Sequence, residues 1–444
     1  MFTFFRSITI VNIREWLQSR HARDLLLVFS IQVFSLIASL LISLTITNLL
    51  GAAAYGIFSY GFSWVNLLAV FSCMGYEQLA LKELPAYRVE NKLGLIRGYF
   101  RYATKRILII SISLSGVLFL FSYFLEHPED NLLRKGLWLA LPALPIIAMI
   151  NLRFAWLRSF QFNTLSQFPD KVLRPLLLLL MLWVGYFLYG ASMNVWFVIT
   201  MSVASIVVAL FTGNSFVKRK VISVVSGAEP AYDIVAWNKT ALSLLMVNGI
   251  YFYLTQVQIL ILGSFRGASE TGVFAIAARL SDLEGYMLFA LNVVLAPLIS
   301  KLYAEGKIME LQSVITRSLW FGFLFSAPLI FCFLIYPGFF LGLFGAEFGD
   351  GSFVLILLTL SQIVNFATGS VGYMLTMTGH HKIAMQILVV CAFITTCLSF
   401  LLIPVYGKEG AAISAAINNV VLNVAMAIAV FRKTGINSTL LRFR

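Results

Sequence analysis

The sequence predicts an all-α polytopic membrane protein, with twelve transmembrane helices arranged as two parallel six-helix bundles. Three observations predict it. Of 444 residues, 60% are hydrophobic and only 11% charged, with a mean hydropathy of +0.90, whereas a soluble domain carries about 25% charged residues. Twelve apolar stretches each approach the roughly 20 residues that a helix needs to cross a bilayer. The motif Gly51-Ala-Ala-Ala-Tyr-Gly-Ile-Phe58 also returns as Gly267-Ala-Ser-Glu-Thr-Gly-Val-Phe274, 216 residues later and close to half the chain.

Residues 1–24 precede the first span. Phe2, Phe4, Phe5, Ile8, Ile13 and Trp16 alternate there with Arg6, Arg14, Arg20 and Arg23, without the apolar core and small-residue cleavage site of a signal peptide. This segment reads as an amphipathic helix on the membrane interface, with disorder as the alternative. The spans follow over about 25–50, 57–81, 107–125, 137–158, 172–190 and 194–217, and then 240–263, 271–297, 319–344, 353–377, 383–405 and 410–431. Residues 25–217 thus form an N-terminal bundle and 240–431 a C-terminal one. The basic, Ser/Gly/Pro-bearing stretch 218–239 links them, and 432–444 is a tail.

The connections alternate in charge. The termini and every second connection carry 27 Lys and Arg, among them Lys82, Arg88, Lys92, Arg97, Arg101, Lys105 and Arg106, while the other side has Arg134, Lys135, Arg266 and Lys408. The positive-inside rule places both termini in the cytoplasm. The net charge of +13 therefore reads as topology, and no nucleic-acid partner is expected. Trp138, Trp156, Trp196 and Trp320 fall near span ends, as interfacial belts require. Both copies of the repeat sit at the outward turn between the first two spans of their half. Six spans per half, an even number, make the halves face the same way, related by an axis along the membrane normal with a site between them.

Prolines interrupt the spans unevenly: Pro142 and Pro145 in the fourth, Pro328 and Pro337 in the ninth, and Pro297 at the expected end of the eighth. A fixed packing bend and a gating kink both fit. Cys73, Cys332, Cys391 and Cys397 lie in apolar spans with no CxxC pair, which reads as small core residues. No Walker A, Gly-rich nucleotide fingerprint or HExxH pattern occurs, and His21, His127, His380 and His381 all fall in connections or tails. No cofactor or metal is expected, and an enzyme is disfavoured.

The eighth span holds the strongest candidates, because Arg279, Asp282 and Glu284 sit well inside an apolar run. A charge at membrane depth is costly, so such residues face a bundle interior or a watery cavity. Arg279 lies roughly 10 Å and Asp282 roughly 15 Å past Gly272 along a helix, near the middle of a hydrocarbon core about 30 Å thick. Arg279 reads as a cation for an anionic headgroup, or as the partner of Asp282 three residues on; either carboxylate is also a candidate proton site. Asn248, Tyr251, Thr255 and Gln258 form one polar stripe on the seventh span, and Gln362 and Asn365 begin another on the tenth, with Gly369 and Tyr373. Such stripes suit sugar hydroxyls stripped of water or glue between helices. Arg153 and Arg158 end the fourth span, while Lys171 and Arg174 open the fifth. That cluster can receive a phosphorylated headgroup, although positive-inside signal accounts better for Lys171.

Several of these residues also carry a resemblance. Leu50-Gly51…Tyr55-Gly56-Ile57-Phe58, Gly267…Gly272-Val273-Phe274 with Ala277-Ala278-Arg279, and the distal Pro297 resemble the bacterial polysaccharide and O-antigen flippases. So do Phe344-Gly345-Ala346-Glu347-Phe348, Thr378-Gly379-His380 and Ile403-Pro404-Val405-Tyr406-Gly407…Gly410-Ala411-Ala412. These exporters belong to the multidrug/oligosaccharidyl-lipid/polysaccharide superfamily, and the similarity runs from about residue 25 to 435. It implies a MATE-like pair of bundles around a central cavity in the bacterial inner membrane. It implies translocation of an undecaprenyl-diphosphate-linked oligosaccharide from the inner to the outer leaflet, with basic cavity residues meeting the diphosphate. Lipid-linked oligosaccharide, membrane lipids, and polymerase and chain-length machinery are the partners it suggests. Ala53-Ala54 departs from the pattern, where acidic residues often precede the Tyr-Gly. The competing reading is a cation-coupled multidrug exporter of the same superfamily, which would carry an acid in its first or seventh span.

Overall fold

The computed structural model describes residues 20–124 and 131–440, so the amphipathic segment expected over 1–24 lies almost wholly outside the described residues. Among the described residues the regular structure is helical throughout. Eight helices among them are long and apolar enough to cross a membrane, nine segments when the pair Asn131–Ala140 and Ala143–Ser159, bent by 42° at Pro142, is taken as one span. Three of the nine are doubled. Arg20–Cys73 and His381–Thr434 each run for 54 residues and Ile234–Ala304 for 71. At about 1.5 Å per residue even the shorter ones would extend about 80 Å if straight, against a hydrocarbon core of about 30 Å.

Each of the three turns back at one glycine. Gly51 has φ 78° and ψ −176°, Gly267 has φ 81° and ψ −172°, and Gly407 has φ 56° and ψ −132°. Only a residue without a Cβ adopts this backbone readily. Across Gly407 the hydroxyls of Ser399 and Ser414 lie 2.9 Å apart, and across Gly51 those of Ser43 and Tyr55 lie 3.1 Å apart. A straight helix would separate these pairs by about 22 and 18 Å. Nine segments, three of them doubled, give the twelve spans that the sequence predicts.

The repeat is structural as well as sequential, since Gly51 and Gly267 share one backbone conformation. The two copies also pack on each other reciprocally. A Cβ on Gly56 would lie 1.8 Å from the Ala268 carbonyl oxygen, and one on Gly272 would lie 2.0 Å from that of Ala52. These are equivalent positions of the two halves, and the small residues four apart let backbone meet backbone as in membrane helix pairs. Glu347, in the turn Ala346–Gly351, accepts from the Ala52 amide at 3.0 Å, and Glu270 accepts from the Lys408 amide at 2.8 Å. Each carboxylate thus sits at the start of a helix that follows a glycine turn, where the helix dipole favours negative charge. Asn48 adds a bond to the Leu343 carbonyl at 3.0 Å. On this face, opposite the termini, the halves are closed against each other.

On the basic face, which carries the termini, residues 226–239 are stitched to the N-terminal half. Ala231 donates to Gly94 O at 2.9 Å, Arg97 to Ala228 O at 2.6 Å and Trp237 Nε1 to Tyr87 Oη at 3.1 Å. Tyr76 and Arg106 both donate to the Asn238 side-chain carbonyl. Trp237 and Ala241 are buried in the core built on Tyr76, Tyr99 and Trp156. The beginning of the long Ile234–Ala304 helix therefore packs as part of the N-terminal half. The eighth span does not end at Pro297 but continues to Ala304, as membrane helices can when neighbours satisfy the carbonyl that proline leaves free.

Candidate functional site

A cavity of about 730 Å³ lies between the halves. Spans one, two and five wall it on one side, and spans seven, eight, ten and twelve on the other. Its outstanding feature is Arg279. This half-buried guanidinium extends from the eighth span across to the other half, where Nη1 donates to Ser43 Oγ at 2.7 Å and to Tyr55 Oη at 2.8 Å. Among the described residues it forms no ion pair. The Arg279–Asp282 pair that the sequence allows is therefore not made. Asp282 lines the same cavity, exposed, one turn further along.

Towards the basic face the fifth span contributes Asp170, Lys171 and Arg174. They lie around a π-helical turn, Pro169–Leu173. Arg174 Nη1 bonds Asp170 Oδ1 at 2.9 Å, and Lys171 Nζ lies 3.3 Å from Oδ2. Counting Arg279 and Asp282, the lining holds three cations and two carboxylates, a small positive excess.

The rest of the polar lining is uncharged. Tyr251, Thr255 and Gln258 of the seventh span reach the cavity, as do Gln362 and Asn365 of the tenth. Asn365 donates to Gln362 at 3.0 Å, which orders the amide pair. Ser59, Ser63 and Asn66 of the second span, Gln256 of the seventh and Asn418 and Asn419 of the twelfth join them. Sequence reasoning missed these residues. Asn418 Oδ1 is buried with no partner, an acceptor available to a ligand hydroxyl.

Four sequence candidates lie elsewhere. Glu284 is 1% exposed and turned into the C-terminal half, where it accepts from Thr359 Oγ1 at 2.8 Å. Asn248 is exposed and donates to the Leu244 carbonyl of its own helix at 3.0 Å. Arg153 stacks over the Trp156 ring at 4.2 Å within the N-terminal half, its Nε buried and without partner. Arg158 is exposed and does not line the cavity. The basic cluster at the fourth and fifth spans thus divides, with the fifth-span pair facing the cavity. Among the described residues no group of His, Cys, Asp or Glu could hold a metal ion.

The family model for polysaccharide biosynthesis proteins matches residues 21–303, and the MatE model matches 241–401. A capsular polysaccharide biosynthesis protein, CapF of Staphylococcus aureus, is 25% identical over 168 residues, 38% of this chain and 42% of that protein. A probable low-salt glycan biosynthesis flippase, Agl15 of Haloferax volcanii, is 26% identical over 183 residues, 41% and 39% respectively. The chain therefore spans about two fifths of the length of these curated relatives. Among solved structures, an inward-facing multidrug resistance MATE transporter superposes with a TM-score of 0.72 at 14% identity, covering 92% of this chain and 99% of that one. The lipid II flippase MurJ in an inward closed conformation gives 0.68 at 15%, covering 91% and 87%. At these identities the likeness is one of fold.

Proposed function

Because the chain belongs to the polysaccharide biosynthesis protein family, the polysaccharide-flippase branch of the superfamily named above, we propose that it moves undecaprenyl-diphosphate-linked oligosaccharide repeat units from the inner to the outer leaflet by alternating access. The observation that carries this reading is Arg279, held across a polar chamber by two hydroxyls of the other half. A diphosphate-sugar head cannot enter hydrocarbon without replacement for its lost hydration. The chamber offers guanidinium and ammonium groups for phosphate and amides and hydroxyls for sugar.

The positive-inside rule assigns the basic face to the cytoplasm of a bacterial inner membrane. The headgroup then meets Lys171 and Arg174 first and Arg279 deeper in, while the prenyl tail stays in the bilayer. With the opposite face closed at Gly56 and Gly272, the described conformation is one that receives from the cytoplasm. Rocking of the halves breaks that seal and releases the headgroup outward, where polymerase and chain-length machinery take it up. No bond is made or broken.

The MatE match over 241–401 and the multidrug neighbour favour, as a second reading, cation-coupled drug export. The positive excess of the lining weighs against a pocket for cationic drugs. A strain lacking the gene decides between them. Lipid-linked repeat units accumulating on the inner leaflet, cleared by the wild-type gene and not by Arg279→Ala, support flipping. Normal glycan export together with new drug sensitivity refutes it.

A further inference from the structure

A second cavity, about 860 Å³, lies at the face opposite the termini and shares no lining residue with the first. The second, third and fourth spans form one wall, and the turn from Gly263 to Glu270 forms the other, so both halves contribute. Only four Lys or Arg lie on this side of the membrane, and two of them, Arg134 and Arg266, line this groove. Glu270 faces Arg266 Nε at 3.3 Å and also caps the Lys408 amide. Among the described residues no carboxylate pairs with Arg134. Its Nη2 donates to neutral Asn131, its guanidinium lies 5.3 Å over the Trp138 ring, and its Nε is buried without a partner. Cations kept on the face from which the positive-inside rule removes them need a reason, and here they share one site.

The rest of the lining is mixed, with Ser122, Ser264 and Ser269 among Trp64, Leu118, Leu133 and Leu137. Phe121, 61% exposed, lines the groove and continues the exposed surface of Val117 and Leu120. Tyr60 and, deeper, Trp64 line the groove, about 13 and 20 Å along the helix from the Gly51 turn, which reaches the middle of a core about 30 Å thick. Guanidinium groups at the interface above a slot that carries apolar side chains to this depth fit an amphiphile with an anionic phosphate head, and not a free ion.

We propose that an anionic phospholipid of this leaflet, the outer one in the orientation proposed above, docks in the groove. Its phosphate lies on Arg134 and Arg266 and one acyl chain lies along Phe121 and Leu137. Since the walls belong to different halves, the lipid binds the conformation closed at this face in preference to the open one and holds it closed.

The test is lipid retention by the purified full-length protein, read by native mass spectrometry after exchange from nanodiscs of phosphatidylglycerol or of phosphatidylcholine. The wild type should retain one phosphatidylglycerol in preference to phosphatidylcholine. Arg134→Ala should lose that preference by roughly tenfold, the loss of one strong contact. Lys135→Ala removes the same charge from an exposed neighbour outside the groove and should retain the lipid. Arg279→Ala should also retain it while failing to flip, which separates this proposal from the transport reading. Should Arg134→Ala fold poorly, Arg134→Gln removes the same charge at similar length and should lose the preference likewise. Equal retention of both lipids, equal loss in the Arg134 and Lys135 variants, or displacement of phosphatidylglycerol by a polyprenyl diphosphate would each overturn the proposal.

Discussion

Replacing Gly56 by alanine places a methyl group 1.8 Å from the Ala268 carbonyl oxygen, where ordinary contact begins at 3.4 Å. The neighbouring atom is backbone, held in a helix, so no side chain can swing aside. The halves must part by roughly 1.5 Å at this point, and overpacking of this kind costs about 1–3 kcal/mol. In a transporter that alternates, that cost falls only on conformations closed at this face. The equilibrium should therefore shift towards opening by about fivefold to 140-fold, at 1.4 kcal/mol per decade. The assay needs a reporter in the central chamber: Ala278→Cys, with Cys73, Cys332, Cys391 and Cys397 replaced. An impermeant maleimide applied from outside the cell should label Gly56→Ala faster than its parent by that factor. Gly272→Ala, the equivalent change in the other half, should do the same. A Gly56→Ala protein that reaches the membrane at parental levels yet labels at the parental rate would refute both the seal and the direction of rocking.

Other outcomes follow from single contacts. Glu347→Ala removes the cap on the Ala52 amide and should raise labelling of the same reporter several-fold, a loss of about 1 kcal/mol; Glu347→Gln, with an oxygen still in place, should do less. Arg279→Lys keeps the charge but not the reach to Ser43 and Tyr55, and should lower flipping in reconstituted vesicles at least tenfold while leaving the melting temperature nearly unchanged. Asp282→Asn should impair transport more than Glu284→Gln, because only Asp282 faces the chamber. Asn238→Ala removes the acceptor of the Tyr76 hydroxyl, while Arg106 Nη1 keeps Tyr102 Oη; it should destabilise the purified protein by about 1–3 kcal/mol, seen as a lowered melting temperature.

The fold was legible because its signals are long. Twelve apolar runs and an alternating charge pattern survive errors of a few residues at each boundary, and the repeated glycine motif marked the two turns that share a backbone conformation. Arg279 was legible because a lone guanidinium in an apolar run has few places to go. Glu284 could have been separated from Asp282 in advance, since residues two apart on a helix point about 200° apart. The fifth span is a different case. Its π turn at Pro169–Leu173 shifts the helical phase, so although Lys171 and Arg174, three apart, share a face, counting does not reveal that this face turns to the cavity. Glu347 was visible only within a family-like motif, because its partner amide lies 295 residues away and no local pattern encodes such a contact.

Ser43 and Tyr55 touch each other at 3.1 Å as well as receiving Arg279. Were an anion to draw the guanidinium away, as proposed above, the two hydroxyls would keep one another as partners. That exchange would break the two bonds from Nη1 and leave the Ser43–Tyr55 bond in place. An apolar substitution of either hydroxyl, Ser43→Ala or Tyr55→Phe, would take away that fallback. With Ser43→Ala the Tyr55 hydroxyl would then be bare each time a ligand arrives and loading would slow, whereas with Tyr55→Phe the Ser43 hydroxyl would keep the Ser39 carbonyl at 3.0 Å.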